Sequence, residues 1–567
     1  MPPARLPLWL RLLPPLTLLA MLGPVAAGLG GTLLPAFGIY PAAGMTSLTL
    51  DPFRDLGDWP GLASAIRLSL TTGLVSTAGA LAIVVLFLAG WSGTRAFRLL
   101  ERLLSPLLSV PHAATAFGLA FLIAPSGWLS RLLSPWATGW ERPPDIAIVG
   151  DPWGLAMAAG LTVKEMPFLL LMSLAALGQV DGTHRMRVAT ALGYGRIGGW
   201  LKTVFPAVYA QIRLPVYVVL AYSMSVVDVA LILGPSTPPT LSVQIVKWMG
   251  DPDLAMRLTA AAAALLQLAL VAGALVFWRI GEIFAARLGA RWIASGSRGA
   301  RIDTLARPLA LGAAATAALS VLLGLATLGI WSVAGFWGFP DPLPQGVDFR
   351  SWMRFAASGG GAVAQTALIA LAATAISLAL VIGCLEAEHR RRRPLSRRGL
   401  WLIYLPLLVP QTAFLPGLQT LLLTIGLSSG IGVVILAHVV FVLPYVFLSL
   451  GDPWRAWEPR YATIAAALGA DPGRTMRAVR LPMLLRPVLT AAAVGAAVSI
   501  GQYLPTLIVG GGRVETLTTE AVALASGGDR RAIGVWSLAQ TAAIILPFAV
   551  ALIVPAWAFR NRRGLHG

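Results

Sequence analysis

The chain has one cysteine, five histidines and three lysines among 567 residues, and only 12% of it is charged. A single cysteine, Cys384, permits neither an intrachain disulfide nor a cysteine-built metal site. The histidines at 112, 184, 389, 438 and 566 are scattered, with no HExxH, so local sequence assembles no zinc site and no nucleophile triad. None of Lys164, Lys202 and Lys247 follows a glycine-rich loop, and GxxxxGK[ST] is missing, so the chain carries no element of that kind for hydrolysing ATP. The scarcity of charge excludes an ordinary water-soluble domain.

What fills the chain instead is apolar: 57% of residues are hydrophobic and the mean hydropathy is +0.76. A membrane-spanning helix needs about 20 mostly apolar residues. Such stretches recur over 8–36, 63–90, 104–124, 153–177, 215–234, 257–278, 308–333, 361–387, 399–426, 431–450, 487–509 and 533–559. The expected fold is an all-α membrane protein of about 12 transmembrane helices. Arg5 and Arg11 ahead of an apolar run that reaches Ala26 and Ala27 resemble a signal peptide, but the run continues towards Leu34, which favours a retained first span.

Alternate loops are basic. One set carries Arg95, Arg98 and Arg102, then Arg185, Arg187, Arg196, Lys202 and Arg213, then Arg279 to Arg307, Arg390 to Arg393 with Arg397 and Arg398, and Arg455 to Arg486. The other carries Asp51, Asp55, Asp58, Glu141, Asp145, Asp151, Asp251, Asp253, Asp341 and Asp348. Basic loops face the cytoplasm, so both termini are expected there, and residues 37–62 outside it. The formal net charge of +19 is absorbed by these loops and implies membrane lipid, not nucleic acid, as the partner.

The chain also repeats itself. ATALGYGRIGGWLKTVFP in one basic loop corresponds to AAALGADPGRTMRAVRLP in another: Gly193 and Pro206 reappear 276 positions later as Gly469 and Pro482. The same offset pairs Gly234 with Gly510 and Thr240 with Thr516. Earlier, SVPHAATAFGL faces LVPQTAFLPGL, pairing Pro111 with Pro410 and Gly118 with Gly417, and the offset changes across a long loop at 125–152 whose counterpart is a short turn near Ser428 and Gly430. This is a parallel duplication: residues 1–280 and 308–567 form two six-helix repeats, joined by a basic linker at 281–307, with a central interface for a translocation path.

Within the repeated loops, 181–214 and 451–486, the alanine-rich run ending at Gly469 predicts a helix closed by a left-handed glycine. Asp471 and Pro472 then predict an N-cap and first turn of a short helix ending near Pro482. In the first loop Ile197, Trp200, Leu201 and Val204 fall on one stripe, and Met476 and Val479 supply apolar positions in the second. A short amphipathic helix could lie on the headgroups, but two copies at fixed spacing suit docking onto two copies of one partner.

These loops resemble the conserved cytoplasmic loop of the permease subunits of bacterial ATP-binding-cassette importers, written EAA, three residues, Gly, then a hydrophobic-Pro pair. Ala189 and Ala465 match the second alanine, while Arg187 and Thr463 replace the acidic residue. The likeness covers about residues 60–280 and 360–560, closest to fused permeases of the iron(III) and thiamine type, including an uncharacterised fused group that TLTTEAVALASGGDRRAIGV resembles. It implies a non-enzymatic permease in the bacterial inner membrane, without cofactor of its own. It further implies a separate ATPase, as a homodimer that binds ATP and Mg, and a periplasmic solute-binding protein.

Two other readings compete. A major-facilitator transporter also has parallel six-span halves, but its signature loop lies between spans two and three, and GWSGTRAFRLL at 90–100 is only a faint likeness without a counterpart. An intramembrane enzyme would need ionisable groups in a span as a working set. Lys164, Glu165, Asp228 and His438 do fall in spans; His438, ahead of Pro444, is expected to satisfy a carbonyl which that proline frees. His112, Asp228, Gln411, Gln502 and Tyr503 are candidates for a polar pathway lining.

Overall fold

The computed structural model describes residues 7–41, 44–298, 302–391, 397–427 and 429–560. Arg301, Arg392, Arg393, Ser428 and His566 lie outside the described residues, as do the side chains of Arg397 and Arg398. Helices dominate, as they must where no water satisfies backbone groups. The one sheet among the described residues pairs Ala334–Phe336 with Gln345–Val347. The principal helices are α1 (Leu8–Ala36), α2 (Leu62–Trp91), α3 (His112–Ile123), α4 (Leu155–Gln179), α5 (Phe205–Ser225) and α6 (Met256–Ala294), followed by α7 (Ile302–Ser332), α8 (Gly360–Arg391), α9 (Gln411–Thr424), α10 (Ile431–Arg455), α11 (Leu485–Ile500) and α12 (Arg530–Ala558). Ten helices are individually long and apolar enough to cross a membrane, and twelve if two bent pairs each count as one span.

Both halves break their third and fifth spans at matching places. Helix Arg95–Leu107 stops before Pro111, whose extended backbone (ψ 149°) starts α3. Residues 401–408 likewise meet α9 at Pro410 with a bend of 85°. Proline lacks an N–H and disfavours helix in the residue before it, so each matched proline ends one helix and opens the next. The fifth spans break at Val226–Val227, before Asp228–Leu233, and at Gly501–Tyr503, before Leu504–Gly510. The unbroken spans expected at 104–124, 215–234, 399–426 and 487–509 are corrected accordingly. α6 has 39 residues, about 58 Å at 1.5 Å per residue, against a hydrocarbon core of about 30 Å. The region expected as a linker, 281–307, is therefore helical as far as Ala294 and enters α7 at Ile302.

The first span of each half packs on the other half. α1 lies against α9 and α8, and α7 lies against α3 and α2. Glycines make both crossings close. A Cβ on Gly118 would lie 2.8 Å from the carbonyl carbon of Gly324, and one on Gly31 would collide with the backbone of Gly417. Thr32 also donates its hydroxyl to the Ala413 carbonyl at 2.8 Å. Close approach between small residues is how membrane helices gain packing when lipid offers no hydrophobic driving force. The matched pair Gly118 and Gly417 thus has a physical reason: each receives the exchanged span. A central apolar cluster draws on both repeats, including Phe117, Val226, Val227, Phe414, Phe441 and Leu504.

Candidate coupling loops and polar centre

Each repeated loop is two helices joined at a left-handed glycine. Helix Gly182–Ala191 ends at Gly193 (φ +79°), and Arg460–Ala467 ends at Gly469 (φ +79°). The closing hydrogen bonds are the same: Tyr194 N–H donates to Ala189 O at 3.1 Å, and Ala470 N–H to Ala465 O at 2.9 Å. This i+5 closure is the Schellman arrangement, and it makes the matched alanines its acceptors. Ala189 and Ala465 are buried, as the tight packing of the second helix requires.

The second helices differ in how they start. Asp471 caps its own helix, accepting from Gly473 N–H at 2.7 Å and Arg474 N–H at 3.1 Å, and these amides hold its carboxyl below the usual range. The corresponding position in the first loop is Gly195, which has no side chain to cap with. Asp303, at the start of α7, supplies the cap, accepting from Arg196 N–H and, at 3.1 Å, from Ile197 N–H. Gly195 N–H donates to Arg298 O at 3.0 Å, and Lys202 Nζ donates to Trp292 O at 3.0 Å and Ser297 O at 2.6 Å. The segment joining the repeats is thus tied to the first loop. Before Pro482 the second loop widens into a π-helical turn, Met476–Arg480, and bends 76° into α11.

The apolar stripe does not face outward. Ile197, Trp200 and Val204 are buried with Phe87 and Phe97, and Leu201 packs partly against the same cluster. Met476 and Val479 pack against the corresponding cluster of the second half. The stripe as a partner surface is corrected: a helix beside a bundle turns its apolar face inward. Exposed instead are Leu192 (58%) and Leu468 (82%), each directly before the turn glycine, and Val188 and Ile464 one turn earlier, all at the 276-residue offset. The Leu-Gly pair common to both loops was the available signal. Pro206 and Pro482 sit in the first turns of α5 and of helix Leu481–Met483.

Beside the first loop lies a cavity of about 810 Å³ lined by Ala89, Ser92, Leu177, Met186, Arg187 and Trp200, among others. At positions corresponding to Gly178 and Asp181 in that region, the second half carries buried Trp454 and Trp457. Arg480 lies 4.6 Å from each ring and pairs with buried Glu386 at 3.0 Å.

The ionisable groups of the spans fall into separate sets. Lys164 Nζ donates to the carbonyls of Leu108 (3.1 Å) and Val110 (2.5 Å), which the break before Pro111 leaves without helical donors. Glu165 lies 3.1 Å from His112 Nε2, and the His112 ring is 4.9 Å from that of Tyr222. Asp228 opens its short helix, buried rather than facing water, within electrostatic reach of His112 and Tyr503. Among the described residues neither Gln411 nor Gln502 hydrogen-bonds to this group, although both are partly accessible. His438 bonds the hydroxyls of Ser499 (2.8 Å) and Thr506 (2.9 Å); this corrects the expectation of a carbonyl partner.

Residues 375–562 match the family described as the binding-protein-dependent transport system inner membrane component. The chain is 32% identical over 547 residues to the inner membrane ABC transporter permease protein YnjC of Escherichia coli (strain K12), covering 93% of this chain and 96% of the relative. It is 25% identical over 190 residues to the spermidine/putrescine transport system permease protein PotC of Haemophilus influenzae, covering 33% of this chain and 71% of that one. The thiamine transport system permease protein ThiP of Escherichia coli (strain K12) is 28% identical over 158 residues, 26% of this chain and 29% of the relative. These relatives favour the importer reading over the facilitator one. With its all-α, duplicated fold and its paired loops, the chain belongs to the binding-protein-dependent inner-membrane permeases of ATP-binding-cassette transporters.

Proposed function

We propose that the two loops are the docking points for a pair of identical ATPase subunits, which bind ATP and Mg and drive solute through the centre of the bundle. The supporting observation is the pair of outward-facing apolar residues repeated in both loops, Val188 with Leu192 and Ile464 with Leu468, each set held by the same glycine turn. Two equivalent protrusions on pseudo-symmetric halves fit two equivalent grooves. In this reading the loops and both termini face the cytoplasm, which the basic-loop pattern supports, and a periplasmic solute-binding protein docks at the opposite end.

In this reading, ATP binding draws the two loops together and rocks the halves, so the central path opens to one side at a time. Residues 1–280 and 308–567 act as the two permease units, with the segment between them tied to the first loop. The permease contributes geometry and the partner contributes hydrolysis. The test is co-purification from the native membrane. Wild-type chain should bring down a Walker-motif ATPase, and a Leu192→Asp, Leu468→Asp double variant should insert normally but lose it; undiminished recovery with the variant would refute the docking assignment.

A further inference from the structure

The two repeats differ in what stands beside their loops. The cavity of about 810 Å³ at the first loop is walled by Ala89 in the last turn of α2, Leu177 in the last turn of α4, Met186 and Arg187 on helix Gly182–Ala191, and Arg196 and Trp200 on helix Arg196–Thr203. In the second half, Gly178 and Asp181 are replaced by Trp454 and Trp457, and Trp200 by Met476; those three pack in one apolar cluster. Arg187 and Arg196 are replaced there by Thr463 and Pro472. The half that gains bulk beside its loop thus lacks both arginines, and the half that keeps the space keeps both.

The lining carries positive charge with no carboxylate to match it. No acidic residue lines the cavity among the described residues. Arg187 is exposed and forms no ion pair among them. Arg196 donates from one guanidinium nitrogen to Ser92 O, which leaves its other donors for an occupant. Asp303 is engaged with the backbone amides of Arg196 and Ile197. Arg307 adds to the basic character of the same end of α2, donating Nε to Gly90 O at 3.2 Å with its guanidinium 4.9 Å from the Trp91 ring.

The lining also has a direction. Ala89 and Leu177 belong to membrane-spanning helices, whereas Arg187 and Arg196 belong to the loop beyond them. An occupant therefore meets apolar side chains on the bilayer side and guanidiniums on the far side. A small inorganic anion would satisfy the arginines and leave the apolar walls wet. A phospholipid satisfies both, because guanidinium matches phosphate in charge and geometry while the acyl carbons cover apolar surface. Basic pockets at the ends of membrane helices hold lipid headgroups on this principle.

We propose that this cavity takes the headgroup of an anionic phospholipid, with Arg187 and Arg196 holding the phosphate and Leu177, Met186 and Trp200 flanking the glycerol and first acyl carbons. The bound lipid braces the first loop as Trp454 and Trp457 brace the second. The permease reading assigns the headgroup to the cytoplasmic leaflet, but binding does not depend on that reading. Nothing covalent occurs.

The test uses the full-length chain in detergent, stripped of lipid, carrying Thr190→Cys in a Cys384→Ser background. Thr190 lines the cavity, and its counterpart Ala466 is exposed in the second loop. Dioctanoyl phosphatidylglycerol should slow maleimide labelling at position 190 at least fivefold and saturably, and leave Ala466→Cys unaffected. Dioctanoyl phosphatidylcholine and inorganic phosphate should each need at least tenfold higher concentration for half-protection. Arg187→Gln, a change at an exposed side chain, should raise the phosphatidylglycerol concentration for half-protection at least tenfold. Hydrogen exchange over 182–192 should slow with phosphatidylglycerol while exchange over 458–468 stays the same. Absent protection, equal protection at position 466, equal potency of phosphatidylcholine or of inorganic phosphate, an unchanged response in Arg187→Gln, or first-loop exchange unaltered by lipid would each overturn the proposal. Protection seen only when an ATPase co-purifies would give the cavity to that partner and overturn it as well.

Discussion

The carboxylate of Asp303 accepts the backbone N–H of Ile197 at 3.1 Å, so the helix after the first glycine turn is capped from the far side of the joint between the repeats. The second loop needs no such help, because Asp471 caps it locally. Losing an N-cap side chain costs about 1 kcal/mol. Asp303→Ala should therefore loosen the joint and speed tryptic cleavage at Arg298 in the solubilised protein, with Asp303→Asn in between. Cleavage at the wild-type rate would show that the cap does not hold the joint.

The Asp471 cap carries a pH signature. Its amide partners lower the folded carboxyl's pKa, so its contribution is fully present above the unfolded value, about 3.9, and is lost as pH falls through the lower folded value. Protection of the Gly473 and Arg474 amides against hydrogen exchange, corrected for intrinsic rate, should be flat from pH 5 to 8 and fall only below about pH 4. Asp471→Ala should remove that protection at every pH, and Asp471→Asn should keep much of it.

The exchanged first spans depend on glycine. Gly118→Val or Gly31→Val places side-chain atoms where the backbones of Gly324 and Gly417 already lie. Overpacking costs typically 1–3 kcal/mol, and here rigid backbone opposes it, so both variants should lower the unfolding midpoint or fail to assemble. Gly30→Ala and Gly329→Ala, whose added Cβ would meet nothing within 4 Å, should be tolerated.

The buried pair Glu386–Arg480 offers a test of the repeat itself. Val204 occupies the position corresponding to Arg480 and is buried in the same hydrophobic cluster as Phe87 and Leu88. Glu386→Gln leaves a buried guanidinium short of its partner, and breaking such a pair costs about 3–5 kcal/mol. The Glu386→Leu, Arg480→Val double variant, which makes the pair apolar as Phe87 and Val204 are in the first half, should recover most of that loss in thermal unfolding. A double variant no better than the single would show that the two halves are not interchangeable here.

The twofold architecture was legible because Gly193, Pro206, Gly469 and Pro482 sit at one offset, and because apolar runs reach membrane length. The breaks at Pro111 and Pro410 were visible as matched prolines but read as continuous spans, since composition on either side stays apolar. The exchange of α1 and α7 was invisible, since it depends on backbone contacts hundreds of residues apart. In the loops, periodicity identified the stripe Ile197, Trp200, Leu201 and Val204 but not what it faces. An apolar stripe satisfied by the protein's own core looks the same in sequence as one offered to a partner. Asp303 was hidden for a related reason: its amide partners are more than a hundred residues away. Of the proposed pathway residues, His112 meets Glu165 and Tyr222 from two other helices, contacts that composition along the chain does not show.

The central claim is that both loops touch an ATPase at their exposed leucines. Leu192→Cys and Leu468→Cys, each in a Cys384→Ser background, can be labelled with a benzophenone maleimide in native membranes and irradiated, with Trp153→Cys at the opposite end of the bundle as control. The account predicts an ATPase cross-linked from position 192 and from position 468, in equal yield, and none from position 153. No ATPase adduct from either loop, or uptake driven by an ion gradient without ATP, would contradict it.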